Sequence, residues 1–141
     1  MYADNDYKFV AVLNKKIEPG QQLMALGHMA AGLTALHQNP GELRFHCYQD
    51  ADGSRHPAIS HYPFIILQAA NGNQIRSVRA AATEAGLLYN DFADSMIGVS
   101  AEDQLRRTRE TPEAELDYFG IVLFGPAETL NRLTRKFSLY R

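Results

Sequence analysis

Lys8-Phe-Val-Ala-Val-Leu-Asn14 followed by Gln21-Gln-Leu-Met-Ala-Leu-Gly-His-Met-Ala-Ala-Gly-Leu-Thr-Ala-Leu-His37 decides how this chain folds. Phe9–Leu13 is a short apolar run rich in β-formers. A run of that length bounded by turn residues reads as a strand buried on both faces. The stretch from Asn14 to Gly20 breaks it, with Pro19-Gly20 as punctuation, and Pro19 also suits the first turn of a helix, where a missing N–H costs nothing. From Gln21 to His37 the positions Leu23, Leu26, Ala30, Leu33 and His37 recur in steps of three and four, which is helical spacing. Gly27, Gly32 and the alanines around them give this helix a smooth surface that a neighbouring backbone can approach. Asn39-Pro40-Gly41 ends it.

The same alternation continues outward. Tyr62–Leu67 reads as a second buried strand with Pro63 at its start, because a proline inside would remove a ladder donor. Ile75, Val78, Ala82 and Ala85 mark a second helix, with Gly86 as its C-cap. Leu87–Phe92 is a third strand and Tyr118–Phe124 a fourth. Between them, Ser100-Ala-Glu-Asp103 opens a short, solvated helix. Gly125-Pro126 turns into a last helix that buries Leu130, Leu133 and Phe137. Leu43–Gln49 and Ala58–His61 read as an extra β-hairpin around Asp50-Ala-Asp-Gly53. Strands alternating with helices imply an α/β fold, a partly parallel sheet covered by helices.

Composition bounds the function. The 141 residues suit a single domain, residues 1–141, and 45% hydrophobic with 21% charged residues is globular composition. A net charge of −2 gives no global attraction to nucleic acid or to an anionic membrane. Cys47 is the sole cysteine, which excludes an intramolecular disulfide and fits a reducing, cytoplasmic setting. Met1–Lys8 carries Asp4 and Asp6 and no apolar core, so it is not read as a signal peptide. No apolar stretch is long enough to span a membrane.

Lys8-Phe-Val-Ala-Val-Leu-Asn14, the helix containing His28, Tyr48-Gln-Asp-Ala-Asp-Gly53 and Gly120-Ile-Val-Leu-Phe-Gly-Pro126 together resemble an uncharacterised bacterial family, the domain of unknown function numbered two thousand. More distantly, the order of elements resembles class II peptidyl-tRNA hydrolase. That resemblance implies a three-layer α/β/α fold with a four-stranded mixed sheet, to which the hairpin is an addition. It also implies functional positions. Gly20 matches the glycine that opens the hydrolase's first helix, and His28 falls at the histidine position. Asp94 matches the aspartate after the third strand, and Gly125-Pro126 is kept. The catalytic lysine position is Gln21, and the two threonine positions correspond to Gly98 and Gly120. Gln21 supplies no cation to a phosphate or an oxyanion. Lys15 and Lys16, a few residues earlier, are the substitutes within reach of the same edge.

The residues therefore suggest His28, Asp94 and Lys16 as catalytic candidates, with Lys15, Gly20 and Gln21 as substrate-binding candidates. Each has a plainer reading: His28 as a structural histidine bonded to a backbone carbonyl, Asp94 as a turn or helix cap. His46, His56 and His61 sit on the hairpin beside Asp50 and Asp52, its pairing would bring His46 and His56 together across the strands, and imidazole with carboxylate suits a divalent metal. Their spacing matches no standard zinc motif, and His61 stands where a calcium loop would need glutamate. No dinucleotide, P-loop or nucleophile-elbow motif occurs, and no cofactor is implied. Three functions remain open. One is a protein of hydrolase ancestry binding a small molecule or a nucleotide or RNA end, its catalysis undecided. The second is a non-catalytic homodimeric module, and the third a metal-dependent hydrolase built on the hairpin histidines.

Overall fold

The structure is a computed structural model that describes residues 6–141. The first five residues of the acidic segment Met1–Lys8 lie outside the described residues.

The first strand, β1 (Tyr7–Asn14), leads into an uncharged eighteen-residue helix, α1 (Pro19–Leu36), with Pro19 in its first turn. A 3-10 turn (Pro40–Leu43) follows, then the hairpin β2 (Phe45–Gln49) and β3 (Arg55–Ser60). The main sheet resumes with β4 (Phe64–Ala69), α2 (Gly72–Glu84) and β5 (Leu88–Ala93). Helix α3 (Ala101–Arg109), β6 (Tyr118–Pro126), α4 (Ala127–Thr134) and β7 (Ser138–Leu139) complete the chain. Gly53 and Gly86 take the positive φ their turn positions imply.

The sheet order is β5-β6-β1-β4-β7. β1 runs parallel to β4 and antiparallel to β6, while β5 and β7 pair antiparallel to β6 and β4. The ends of β1, β4 and β5 therefore share one edge of the sheet with the start of β6. Two cores sit on its two faces. Phe9, Ala11, Leu13, Val122 and Phe124 pack against Ala25, Met29 and Leu33 of α1. Val10, Val12, Ile121 and Leu123 pack against Ile75 and Val78 of α2 and Leu130 of α4. β1 and β6 are buried on both faces, as their unbroken apolar runs demand.

Two expectations need correction. The sheet has five strands rather than four, because the last helix stops at Thr134 and the chain turns back to add β7 along β4. Phe137 therefore lies beyond the helix whose face it was expected to fill. Within the hairpin, His46 does not face His56. The register runs His46↔Ile59 and Tyr48↔His56, so β3 carries one extra residue at Pro57-Ala58. Pro57 has no N–H to give a ladder, which makes it a natural bulge position.

Candidate functional site

At the carboxyl edge of β1, the buried side chain of Asn14 continues the sheet where the ladder stops. Backbone pairing of β1 with β6 ends at Leu13↔Gly120, and Asn14 Nδ2 then donates to the Tyr118 carbonyl at 3.0 Å. Asn14 Oδ1 accepts the Lys16 amide at 2.9 Å, which shapes the turn that carries Lys15 and Lys16. The Asn14 carbonyl accepts Gln22 Nε2 at 2.6 Å, and Gln22 Oε1 accepts the Tyr140 hydroxyl at 2.6 Å. Asn14 and Gln22 are both buried, so this chain of bonds ties the start of α1 to the sheet and to the segment after β7.

The amides that open α1 are already engaged. Glu18 accepts hydrogen bonds from the N–H groups of Gly20 at 3.1 Å and Gln21 at 3.2 Å. A carboxylate thus occupies the donors that a phosphate would seek at a helix start. Lys15 and Lys16 are exposed on the preceding turn.

His28 stands at the same end of the sheet, on the exposed side of α1. Its ring lies over Phe92 of β5, with centroids 6.2 Å apart and planes at 24°. Met24, Phe92, Met96, Ile97, Gly98 and Gln104 join it in lining a cleft of about 330 Å³. Among the described residues its imidazole nitrogens have no hydrogen-bond partner, so the carbonyl-bonded structural role is not what the geometry shows. A β-bulge aims this wall: Phe92 pairs with Gly120 and Ala93 with Tyr118, leaving Phe119 as the extra residue. Its ring centroid lies 5.6 Å from that of Phe92.

Asp94 follows Phe92 by two residues but is outside the lining of the cleft. Its backbone N–H donates to the Asp117 carbonyl at 2.9 Å, and its Oδ1 accepts the Asp117 N–H at 3.1 Å. These two bonds close the base of the insert between β5 and β6. Helix α3 forms the outer wall. Ser95 Oγ and Thr108 Oγ1 are 2.7 Å apart, and Arg107 Nη1 donates to the Ile97 carbonyl. Gly98 permits this docking, since a Cβ there would stand 2.5 Å from Asp103 Oδ2 and 3.1 Å from Gln104 Cγ. The returning limb is clamped by Arg76, whose Nη2 donates to the carbonyls of Glu113, Ala114 and Leu116. Burial and its hydrogen bond to Glu113 push the Tyr118 phenol far above its usual pKa, so it stays a neutral donor.

Thus Lys15 and Lys16 sit on the turn before α1, Gly20 and Gln21 in its first turn, and His28 further along the helix in a cleft that none of those four lines. Asp94 serves the neighbouring loop. Met24, Met96, Ile97 and Gln104 were not singled out from sequence. The i, i+4 spacing of Met24 and His28 is the one signal that pointed to a shared face. The hairpin histidines diverge: His46 Nε2 lies 2.8 Å from His61 Nδ1, while His56 pairs with Asp50 at 2.9 Å. No group of three metal-ligating side chains forms among the described residues. No helix among them is long and apolar enough to cross a membrane.

A mixed five-stranded sheet with helices on both faces, and a histidine-bearing cleft at the carboxyl end of its strands, makes this an α/β protein with its open site where such sheets commonly place one. Residues 7–141 match the family described as Protein of unknown function (DUF2000), and the chain belongs to that family. A solved protein of unknown function from Agrobacterium tumefaciens has the same fold, at 17% identity and a TM-score of 0.80, over 96% of this chain and 98% of that one. Among curated proteins, none matches this chain.

Proposed function

We propose that this protein is a single-domain binder of a small molecule, built on a peptidyl-tRNA hydrolase II-like scaffold and using the His28 cleft as its site. The observation that carries the reading is the His28 imidazole. It is exposed, free of hydrogen bonds to the described residues, and set over Phe92 in a cleft walled by two thioethers. Such a surface suits a flat, largely apolar ligand with one group that hydrogen-bonds to imidazole, and a second that meets Gln104. The Glu18 carboxylate on the Gly20 and Gln21 amides argues against a phosphate there. With Gln21 in the lysine position and Asp94 committed to Asp117, hydrolysis of a peptidyl ester has no evident cation or carboxylate partner for His28. Lys16 remains the residue that a catalytic version of this reading would use.

A ligand-observed NMR screen of small aromatic and heteroaromatic compounds tests this. Hits should shift the His28 ring resonances and be lost in His28→Ala, which removes an exposed side chain and leaves the core intact. Gly98→Ala should also weaken them by displacing α3. Hits that bind His28→Ala as well as wild type refute the assignment.

One further observation favours a second reading, a homodimeric module. The outer face of α1 exposes Leu23, Met24, Gly27, Ala31, Ala35 and Leu36 without a single charge along the helix. A surface helix normally carries charged residues on that side. Light scattering decides this reading, since a strictly monomeric species excludes it.

A further inference from the structure

A second cleft lies at the opposite edge of the sheet, where β1 begins, β6 ends and β4 begins. Tyr7, Glu42, Arg44, Tyr62 and Phe124 line about 420 Å³. Three rings make a continuous aromatic corner. Tyr7 stacks on Phe124 at 5.9 Å, Tyr62 lies 5.6 Å from Phe124, and Tyr7 is 5.9 Å from Tyr62. Above it, the Arg44 guanidinium sits 5.8 Å from the Tyr62 ring centroid.

Arg44 is unusual in two respects. It is the one non-glycine residue with positive φ among the described residues, at 55°. Its backbone is held in that conformation from both sides: its N–H donates to Gly41 at 3.1 Å, and its carbonyl accepts the His61 N–H at 2.7 Å. Such conformations persist only where surrounding bonds enforce them. The guanidinium also has no carboxylate partner among the described residues, although Glu42 is two residues away. Glu42 faces Asn39 Nδ2 at 3.1 Å and His37 Nε2 at 3.9 Å instead. The cleft thus presents an aromatic surface, a guanidinium over it that no described carboxylate pairs, and a separate carboxylate at its rim.

We propose that this cleft binds a small planar anion: an aromatic or heteroaromatic ring carrying a carboxylate or phosphate. The ring packs on Tyr7, Tyr62 and Phe124, and the anion pairs with Arg44, whose planar fork matches either group. An N–H on the ring finds its acceptor in Glu42. The site is separated from the His28 cleft by the length of β1 and shares no residue with it.

The chain has no tryptophan, so an indole ligand is excited without protein background. Titration of the whole protein into indoleacetate, followed by indole fluorescence anisotropy, should give saturable binding. Guanosine monophosphate in a competition arm separates the two sources of anion: displacement assigns phosphate as well as carboxylate, and its failure assigns carboxylate alone. Arg44→Gly should weaken binding by about tenfold or more, the loss of a charge-assisted pair. The same variant should fold at least as well as wild type, because glycine accepts positive φ. His28→Ala should bind as wild type. Absence of saturable binding by either probe at millimolar concentration, or wild-type affinity in Arg44→Gly, overturns the proposal.

Discussion

Replacing Asn14 by alanine tests the account of the sheet's carboxyl edge most directly. The side chain is 1% exposed and makes two hydrogen bonds, to the Tyr118 carbonyl and from the Lys16 amide. Alanine removes both and leaves those two backbone groups without the partner they have now. A typical intramolecular hydrogen bond contributes about 1 kcal/mol net, and stranding a buried polar group costs about 1–3 kcal/mol. The Lys16 amide lies nearer to solvent and regains water, so the larger penalty falls on the Tyr118 carbonyl. Together the loss comes to about 2–4 kcal/mol, or a fall in Tm of roughly 6–15 °C for a chain of this size. Urea denaturation should show a lower midpoint with an unchanged m-value, because the surface exposed on unfolding is the same. The Gln22 bond to the Asn14 carbonyl uses backbone and survives, so amide exchange should quicken at Lys16 more than in the middle of α1. A loss below about 1 kcal/mol would refute the reasoning, since it would mean that water or a shifted loop satisfies the Tyr118 carbonyl at no net cost.

Two other outcomes follow from the same geometry. Arg76→Met removes three bonds to the carbonyls of the 113–116 limb and a cation lying 5.1 Å from the Tyr118 ring centroid. It should destabilise the protein by about 2–3 kcal/mol and expose that limb to limited proteolysis, and a limb as resistant as wild type would show that Arg76 is not its clamp. Asp50 is held below the usual carboxylate pKa, first by its hydrogen bond to His56 and then by the Ser54 amide. A depressed folded pKa means its contribution is complete above the unfolded value near ~3.9 and is lost as pH falls through the folded value. The Asp52 and Ser54 amides, which donate to the Asp50 carboxylate, should therefore stay protected down to that range and exchange faster below it. NMR titration of Asp50 at the ordinary value would contradict this.

Much of the scaffold is legible because it rests on short-range pattern. Phe9–Leu13, Tyr62–Leu67 and Tyr118–Phe124 are apolar runs bounded by turn residues, Leu87–Phe92 is a mixed run after a glycine, and each becomes a main-sheet strand. β7 escaped notice because Ser138 and Leu139 are two exposed residues whose strand character comes only from pairing with Gln68 and Leu67. His46 and His56 do not meet across the hairpin because a single slip at Pro57 changes every facing residue beyond it. Asn14 reads locally as a turn breaker, and its main partner is 104 residues away. Of the site, His28 was legible through a resemblance and the position of its helix. The engagement of Asp94 by Asp117 and the aromatic corner around Arg44 depend on distant elements meeting, which local periodicity does not encode.

The two-residue pairing of β7 has a consequence for how this chain behaves in company. β4 carries Phe64-Ile-Ile-Leu67 along the border of the sheet, and among the described residues Ser138–Leu139 and the Tyr140 amide, bonded to Ile66, are what pairs with that border. An unguarded apolar strand is a template on which a foreign strand can polymerise. This short hem therefore does little for rigidity and much for keeping neighbouring copies from zipping onto one another.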